Sequence, residues 1–242
     1  MTDTNTPLID IRDLHFNWPN EPDLIDIPAF QMNRRDRVFL EGESGSGKST
    51  LLGLIAGVLQ PSSGTIRFSG SELNKLSSGK RDRLRADRMG VIFQLFNLLP
   101  YLSVIENVVL PCRFSRRRKE NALQRSNTID AEARRLLQRL GLSDERLIHR
   151  KVSDLSVGQQ QRVAAARALI GSPDLIIADE PTSALDTSNR DQFLALLMEE
   201  ADAAEAGLLF VSHDPSLGAR FDRRIALSTL NEAFSKQHEP TS

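Results

Sequence analysis

Gly42-Glu-Ser44-Gly45-Ser46-Gly47-Lys48-Ser49-Thr50 sets glycines, a lysine and hydroxyl residues at the spacing of a phosphate-binding loop. Gly42, Gly45 and Gly47 allow the backbone to curl so that successive N–H groups converge on one anion. A helix starting at the end of that loop adds partial positive charge. Lys48 is then placed to reach the outer phosphates of a nucleotide, and the Ser49 hydroxyl suits a Mg²⁺ ligand. A Gly/Ser-rich surface turn is the plain alternative. It leaves unexplained why the apolar Val38-Phe39-Leu40 precedes the loop as a strand would, and why Leu51, Leu52, Ile55 and Leu59 follow on one side of a helix.

Two further elements could act on a phosphate. Leu175-Ile-Ile-Ala-Asp179-Glu180 ends an apolar strand in paired carboxylates. Asp179 would be costly to desolvate there unless a cation or donors met it, and a Mg²⁺ shared with Ser49 would do so. Glu180 is the candidate to polarise an attacking water. A solvated acidic turn is the competing reading of this pair. Leu155-Ser156-Val157-Gly158-Gln159 opens an Ala-rich helical segment, so Ser156 and the backbone near Gly158 present donors at a positive helix end. Ser156 as a simple N-cap would explain the serine and leave Gly158-Gln-Gln-Gln unexplained.

Positioning these residues requires alternating strands and helices. Strand-like pieces fall at residues 9–16, 38–40 and 65–68, with turn signals at Pro19, Pro61 and Gly64. Apolar spacing is helical over 131–140, and 158–169 also reads as a helix. The chain then returns to alternation, with strand 175–178, helix about 189–206 and strand 208–212. Continuous apolar runs in the last two strands predict parallel strands covered on both faces. The result is an α/β core interrupted by a helical insertion.

Bulk properties bound the function. A chain of 242 residues can bury one sizeable core, and a net charge of −1 predicts no general affinity for nucleic acid or anionic lipid. Cys112 is the single cysteine, so no internal disulfide is expected. Met1 to Asn5 lack the pattern of a secretory signal, and the apolar stretch near 51–59 is too short to span a bilayer. Membrane contact is therefore expected through a partner.

Taken together the motifs resemble the nucleotide-binding subunit of an ATP-binding cassette (ABC) transporter over nearly the whole chain. Gly42 to Thr50 corresponds to Walker A, Gln94 to the Q-loop glutamine and Leu155 to Gln159 to the signature. Leu175 to Glu180 corresponds to Walker B, Ser183-Ala-Leu-Asp186 to the D-loop and His213 to the switch histidine. Val91-Ile-Phe-Gln94-Leu-Phe-Asn-Leu-Leu-Pro100 and Ala178-Asp-Glu-Pro-Thr182 are similar to bacterial lipoprotein-releasing and macrolide-type exporter ATPases. The resemblance implies an α/β fold, with a P-loop NTPase (RecA-like) core, an N-terminal antiparallel β subdomain and an inserted helical subdomain. The core would comprise 1–93 and 166–234, the helical subdomain 94–165, and a polar tail 235–242.

The same resemblance implies ATP and Mg²⁺ as cofactors and ATP hydrolysis coupled to transport. Gly42, Ser44, Gly45, Ser46, Gly47, Lys48, Ser49 and Thr50 would hold the nucleotide, with Trp18 stacking on adenine where the family usually has tyrosine. Phe16 competes for that role, and both could be core or rim residues. Ser156, Gly158 and Gln159 would cover the γ-phosphate bound to an opposite subunit, in a homodimer closed around two ATP. Ser49, Gln94 and Asp179 would hold the metal, while Glu180, His213, Gln94 and Lys48 would act in catalysis. Val157 stands where the family has the first of two glycines. The implied partner is a membrane-embedded permease, not a nucleic acid, and the implied location is the cytoplasmic face of the cell membrane. A cell-division ATPase signalling through a membrane partner and a soluble non-transport ABC ATPase are the alternatives.

Two surface expectations remain. The basic cluster Arg113, Arg116, Arg117, Arg118 and Lys119 reads as a solvated helix start or loop within the helical lobe, with a nucleic-acid or lipid-headgroup patch as the alternative. The connector after Gln94 is expected to expose Leu95, Phe96, Leu98, Leu99, Tyr101 and Leu102 as an apolar patch, which the resemblance implies docks the permease; packing of these side chains inside the helical lobe is the plain alternative.

Overall fold

A computed structural model describes residues 6–43, 45–183 and 185–234. Ser44, Ala184 of the D-loop and the tail 235–242 thus lie outside the described residues. The chain forms two compact units, 1–85 with 209–242, and 86–208.

The first unit begins with β1 (Ile9–Asn17), β2 (Asp23–Met32), β3 (Arg37–Glu41), α1 (Lys48–Ile55), β4 (Ser63–Phe68) and β5 (Ser71–Glu72), and α2 (Ser78–Arg88) leads out of it. An antiparallel sheet runs in the order β2-β1-β4-β5. Ile9, Ile11, Leu14 and Phe16 of β1 pack inward with Ile25, Ile27 and Met32 of β2 and Ile66 and Phe68 of β4. The inward phase of β1 slips between Ile11 and Leu14, where Asp13 takes a positive φ of 46° and the pairing with β4 shifts register. Gly64 makes that bulge possible, because a Cβ there would lie 2.0 Å from the Asp13 carbonyl oxygen. The strand β2, which the sequence reading omits, carries Pro28 and Asp26 inside an otherwise alternating run.

Val38, Phe39 and Leu40 of β3 are all buried, and β3 pairs in parallel with β9 (Arg223–Ala226). Between α2 and β9 in the chain come the second unit and β8 (Gly207–Ser212), whose residues from Leu209 onward belong to the first. Phe39, Phe210 and Phe221 cluster with ring centroids 5.2 to 6.2 Å apart. The carboxyl end of α1 has no basic residue of its own. Arg81 and Arg85 supply cations there by donating to the carbonyls of Gly57 and Ala56.

The second unit contains β6 (Met89–Ile92), α3 (Val104–Phe114), α4 (Arg116–Arg125), α5 (Ile129–Arg139), α6 (Val157–Leu169), β7 (Leu175–Asp179) and α7 (Thr187–Ala203). β6 and β7 pair in parallel, from Met89 opposite Leu175 to Ile92 opposite Ala178. Side-chain caps start the helices: Ser103 with Glu106 for α3, Ser115 for α4, Thr128 for α5, Ser156 with Gln159 for α6 and Asp186 for α7. The mixed α/β architecture, with one antiparallel and one parallel element and a set of helices between β6 and β7, is the fold class expected from the sequence.

The basic cluster departs from expectation. Arg113, Arg116 and Lys119 are exposed, but Arg118 is 2% exposed and donates to the carbonyls of Met89 and Ala168. Arg117 pairs with the buried Asp174 at 2.8 Å. The spacing explains this, since a helix turns these two side chains away from the solvated face of Arg116 and Lys119.

Candidate functional site

In the first unit, the loop 42–47 connects the end of β3 to the start of α1. Gly45 and Gly47 have φ of 81° and 88°, in the left-handed region that favours glycine. A Cβ on Gly42 would approach Ser46 Oγ to 2.8 Å. The amino end of α1 carries no side-chain cap and no acidic residue in its first turn, which leaves its N–H donors and dipole to an anion. Ser46 Oγ is buried without a hydrogen-bond partner, a costly state that a bound phosphate oxygen would relieve. Lys48 is also buried and curls over the loop, its Nζ donating to the carbonyls of Gly42 at 2.8 Å and Glu43 at 2.7 Å. This donor set fits a polyphosphate.

A cleft of about 640 Å³ brings Gly42, Glu43 and Ser46 together with His213, which follows β8. Ser49 and Thr50 lie in the first turn of α1. Trp18, just past β1, is 40% exposed, whereas Phe16 is 7% exposed with its ring 5.1 Å from the Trp18 ring at 87°. Of the two, only Trp18 offers a face to a ligand.

In the second unit, Asp179 closes β7 and Glu180 follows it, buried, with a positive φ of 47° before Pro181. A non-glycine residue held in that region costs about 1–3 kcal/mol, and such strain concentrates at functional positions. Gln94 is exposed just past β6. Beyond it, Phe96 and Asn97 both take positive φ, of 59° and 49°. Arg167, in the last turn of α6, clasps this turn by donating to the carbonyls of Asn97 at 2.7 Å and Phe96 at 2.6 Å. Burial pushes its guanidinium below the ordinary arginine range. The sequence reading missed Arg167; the available signal was a charged residue within Ala164-Ala-Ala-Arg167-Ala-Leu169, which must find acceptors when its neighbours are buried.

The connector exposes less apolar surface than expected. Leu95 and Tyr101 are 83% and 69% exposed, joined by Phe93 at 42%. Phe96 is buried, and Leu98, Leu99 and Leu102 are half-buried, because Asn107 draws the 99–103 backbone inward through hydrogen bonds to Leu99, Leu102 and Ser103.

Ser156 and Gln159 cap α6 reciprocally: the Gln159 N–H donates to Ser156 Oγ, and Gln159 Oε1 accepts from the Ser156 N–H. Val157 begins the helix, 49% exposed. A recess of about 380 Å³ joins Ser156, Val157 and Gly158 to Leu185, Asp186 and Asn189. The signature and D-loop elements, which are distant in sequence, thus share one surface. Asp186 accepts from the Asn189 backbone and side chain, which holds its carboxyl below the usual carboxylate range.

A glycine loop feeding an uncapped helix start, a histidine beside it and a strand ending in paired carboxylates define a nucleotide-hydrolysing P-loop protein. The family described as ABC transporter matches residues 25–183. The chain is 42% identical to the "Lipoprotein-releasing system ATP-binding protein LolD" of Hydrogenovibrio crunogenus, over 82% of this chain and 83% of the relative. Identity to the protein of the same description from Shewanella denitrificans is 40%, over 86% and 85% of the two chains. Among solved structures, the dimeric post-hydrolysis state of the ATP-binding cassette MJ0796, bound to ADP and Pi, superposes with a TM-score of 0.77 at 29% identity, covering 93% of this chain and 95% of that one. The chain belongs to the ATP-binding subunits of ABC transporters and is an ATPase. No helix among the described residues is long and apolar enough to cross a membrane.

Proposed function

We propose that this chain powers a lipoprotein-releasing transporter, closing as a homodimer around two ATP on the cytoplasmic face of the membrane to drive a separate permease. The likeness to the LolD proteins at 42% identity, over more than four-fifths of both chains, is the observation that carries this reading. In it, the donors of Gly42, Gly45, Ser46, Gly47 and Thr50 bind phosphate, and Lys48 neutralises charge on the outer phosphates as the γ-phosphoryl group passes from ADP, the leaving group, to water. Glu180 accepts a proton from the attacking water, His213 donates to the γ-phosphate, and Trp18 stacks on adenine. Ser49, Gln94 and Asp179 are oxygen donors suited to Mg²⁺, which when bound would draw charge from the phosphate oxygens. Ser156 and Gly158 present donors to the ATP held by the second copy. The cap engages both the N–H and the Oε1 of Gln159, so the donor it offers that ATP is its side-chain Nε2.

The subdomain division into 1–93 with 166–234 and 94–165 is part of the same proposal. Leu95, Tyr101 and Phe93 form the permease-facing patch, and their exposure supports it. The test is reconstitution with the membrane subunits in liposomes carrying a lipid-modified protein. ATP-dependent appearance of that protein in the soluble fraction is the expected result; ATP turnover with every lipoprotein molecule retained in the liposomes would contradict the cargo.

A further inference from the structure

The cleft that holds Gly42, Ser46 and His213 has a wall that no nucleotide-binding motif supplies. Ala226, Ser228 and Phe234 line it from the segment 226–234, which includes α8 (Leu227–Leu230). This segment is fastened to β2. Asn231 is completely buried; its Oδ1 accepts from the Asp26 N–H at 2.7 Å and its Nδ2 donates to the Leu24 carbonyl at 2.8 Å. The Glu232 N–H donates to the Asp26 carbonyl at 2.7 Å, and the Ala233 N–H donates to Asn231 Oδ1. Leu24 and Ile25 in turn back the phosphate loop, since a Cβ at Gly47 would lie 3.0 Å from Ile25 Cδ1 and 3.4 Å from Leu24 Cγ. From the other side, Leu227 Cβ lies 3.3 Å from the Cβ position of Gly42.

We infer that the strap 226–234 is part of the nucleotide-binding machinery, with Phe234 a wall of the phosphate cleft beside His213 and Asn231 the positioning residue that holds it there. A phenyl ring beside a phosphate makes no ionic contact. It excludes water and lowers the local dielectric, which strengthens the hydrogen bonds that Ser46 and His213 offer to a phosphate. Because the strap, β2 and the phosphate loop are linked by these contacts, nucleotide in the cleft should quieten the strap, and loosening the strap should weaken use of the nucleotide. The inference rests on the reading that ATP phosphates occupy this cleft.

The test uses the full chain and a fluorescent ATP analogue. Phe234→Ala, at a half-buried position, is expected to keep ADP affinity within about twofold and to lower the ATP turnover number about tenfold, the pattern of an interaction made chiefly in the transition state. Asn231→Asp keeps the acceptor for Asp26 and Ala233, loses the donor to Leu24, and should give a smaller loss in the same direction. Amide hydrogen exchange on the unmodified chain supplies a readout independent of folding in the variants. Amides of 227–234 should slow by about threefold or more when a non-hydrolysable ATP analogue saturates the site, as expected of a segment whose local opening is suppressed by a ligand. Unmodified exchange there, with saturation confirmed, or full turnover in Phe234→Ala would overturn the inference. If instead the analogue fails to bind the parent chain, or binds Lys48→Ala equally well, the placement of phosphate in the cleft is what fails.

Discussion

Replacing Arg167 isolates the link between the signature helix and the turn after Gln94. Arg167→Met keeps the stem and removes both donors, leaving the carbonyls of Phe96 and Asn97 without their charged partner. Charge-assisted hydrogen bonds contribute about 1.5–3 kcal/mol each, and the half-buried position favours the lower end, so about 2–4 kcal/mol should be lost. At about 2–4 °C per kcal/mol for a chain of this size, the melting transition should fall by about 4–16 °C. Two consecutive residues in the left-handed region are the ones this clasp restrains, so amides 95–99 should show the largest acceleration of hydrogen exchange. Arg167→Lys can satisfy one carbonyl and should lose about half as much. Calorimetry and exchange mass spectrometry check both numbers. A melting point within about 1 °C of the parent for Arg167→Met, together with unchanged exchange at 95–99, would refute the clasp, because two charged hydrogen bonds cannot vanish without either effect.

Trp18→Ala should weaken ATP binding by about 1–3 kcal/mol, the usual scale for losing a base stack, as read by titration calorimetry. An unchanged affinity would move the adenine contact away from β1, since Phe16 is committed to the core. Leu95→Ser with Tyr101→Ser should leave melting and ATP affinity unaltered while co-purification with the permease drops; retention of normal co-purification would place docking elsewhere. Burial pushes the Cys112 thiol from about 9 up to about 11. The native thiol should therefore resist a thiol reagent at pH 8 and react on unfolding. The linkage has a definite sign: between those two values the unfolded chain releases a proton that the folded chain keeps, so this contribution to stability is present below about 9 and is lost as pH rises toward about 11. A urea series across that range checks the direction, and a Cys112→Ala chain should lack this component.

Legibility in the sequence followed the strength of local constraint. The phosphate loop was readable because its glycines have few other uses: Gly45 and Gly47 do adopt positive φ, and β3 ends and α1 begins around them, although α1 stops at Ile55, short of the expected Leu59, where Gly57 turns the chain with a positive φ of 67°. The strands β7 and β8 were equally clear, since buried parallel strands write continuous apolar runs. β2 was hidden by Pro28, Asp23 and Asp26, and the place of Asp26 is set by a partner far along the chain, Asn231. The burial of Arg118 and the inward turn of Leu98 and Leu99 were illegible for a related reason. Each depends on tertiary acceptors, the carbonyls of Met89 and Ala168 in one case and the Asn107 amide network in the other, which no local periodicity encodes. Resemblance named the motifs but was silent on Arg167 and on the 226–234 strap.

The central claim is that the phosphate loop of one copy and the signature recess of another close on the same ATP. The most direct measurement is the solution mass of Glu180→Gln, in which loss of the proton acceptor should lower turnover by roughly 10²–10⁴ while ATP stays bound. By light scattering, this chain of 27.0 kDa should show the mass of a dimer in saturating ATP and of a monomer in ADP, and Ser156→Arg in the same background should block the dimer. A Glu180→Gln chain that binds ATP yet stays monomeric, both alone and with its membrane partner, would contradict the account.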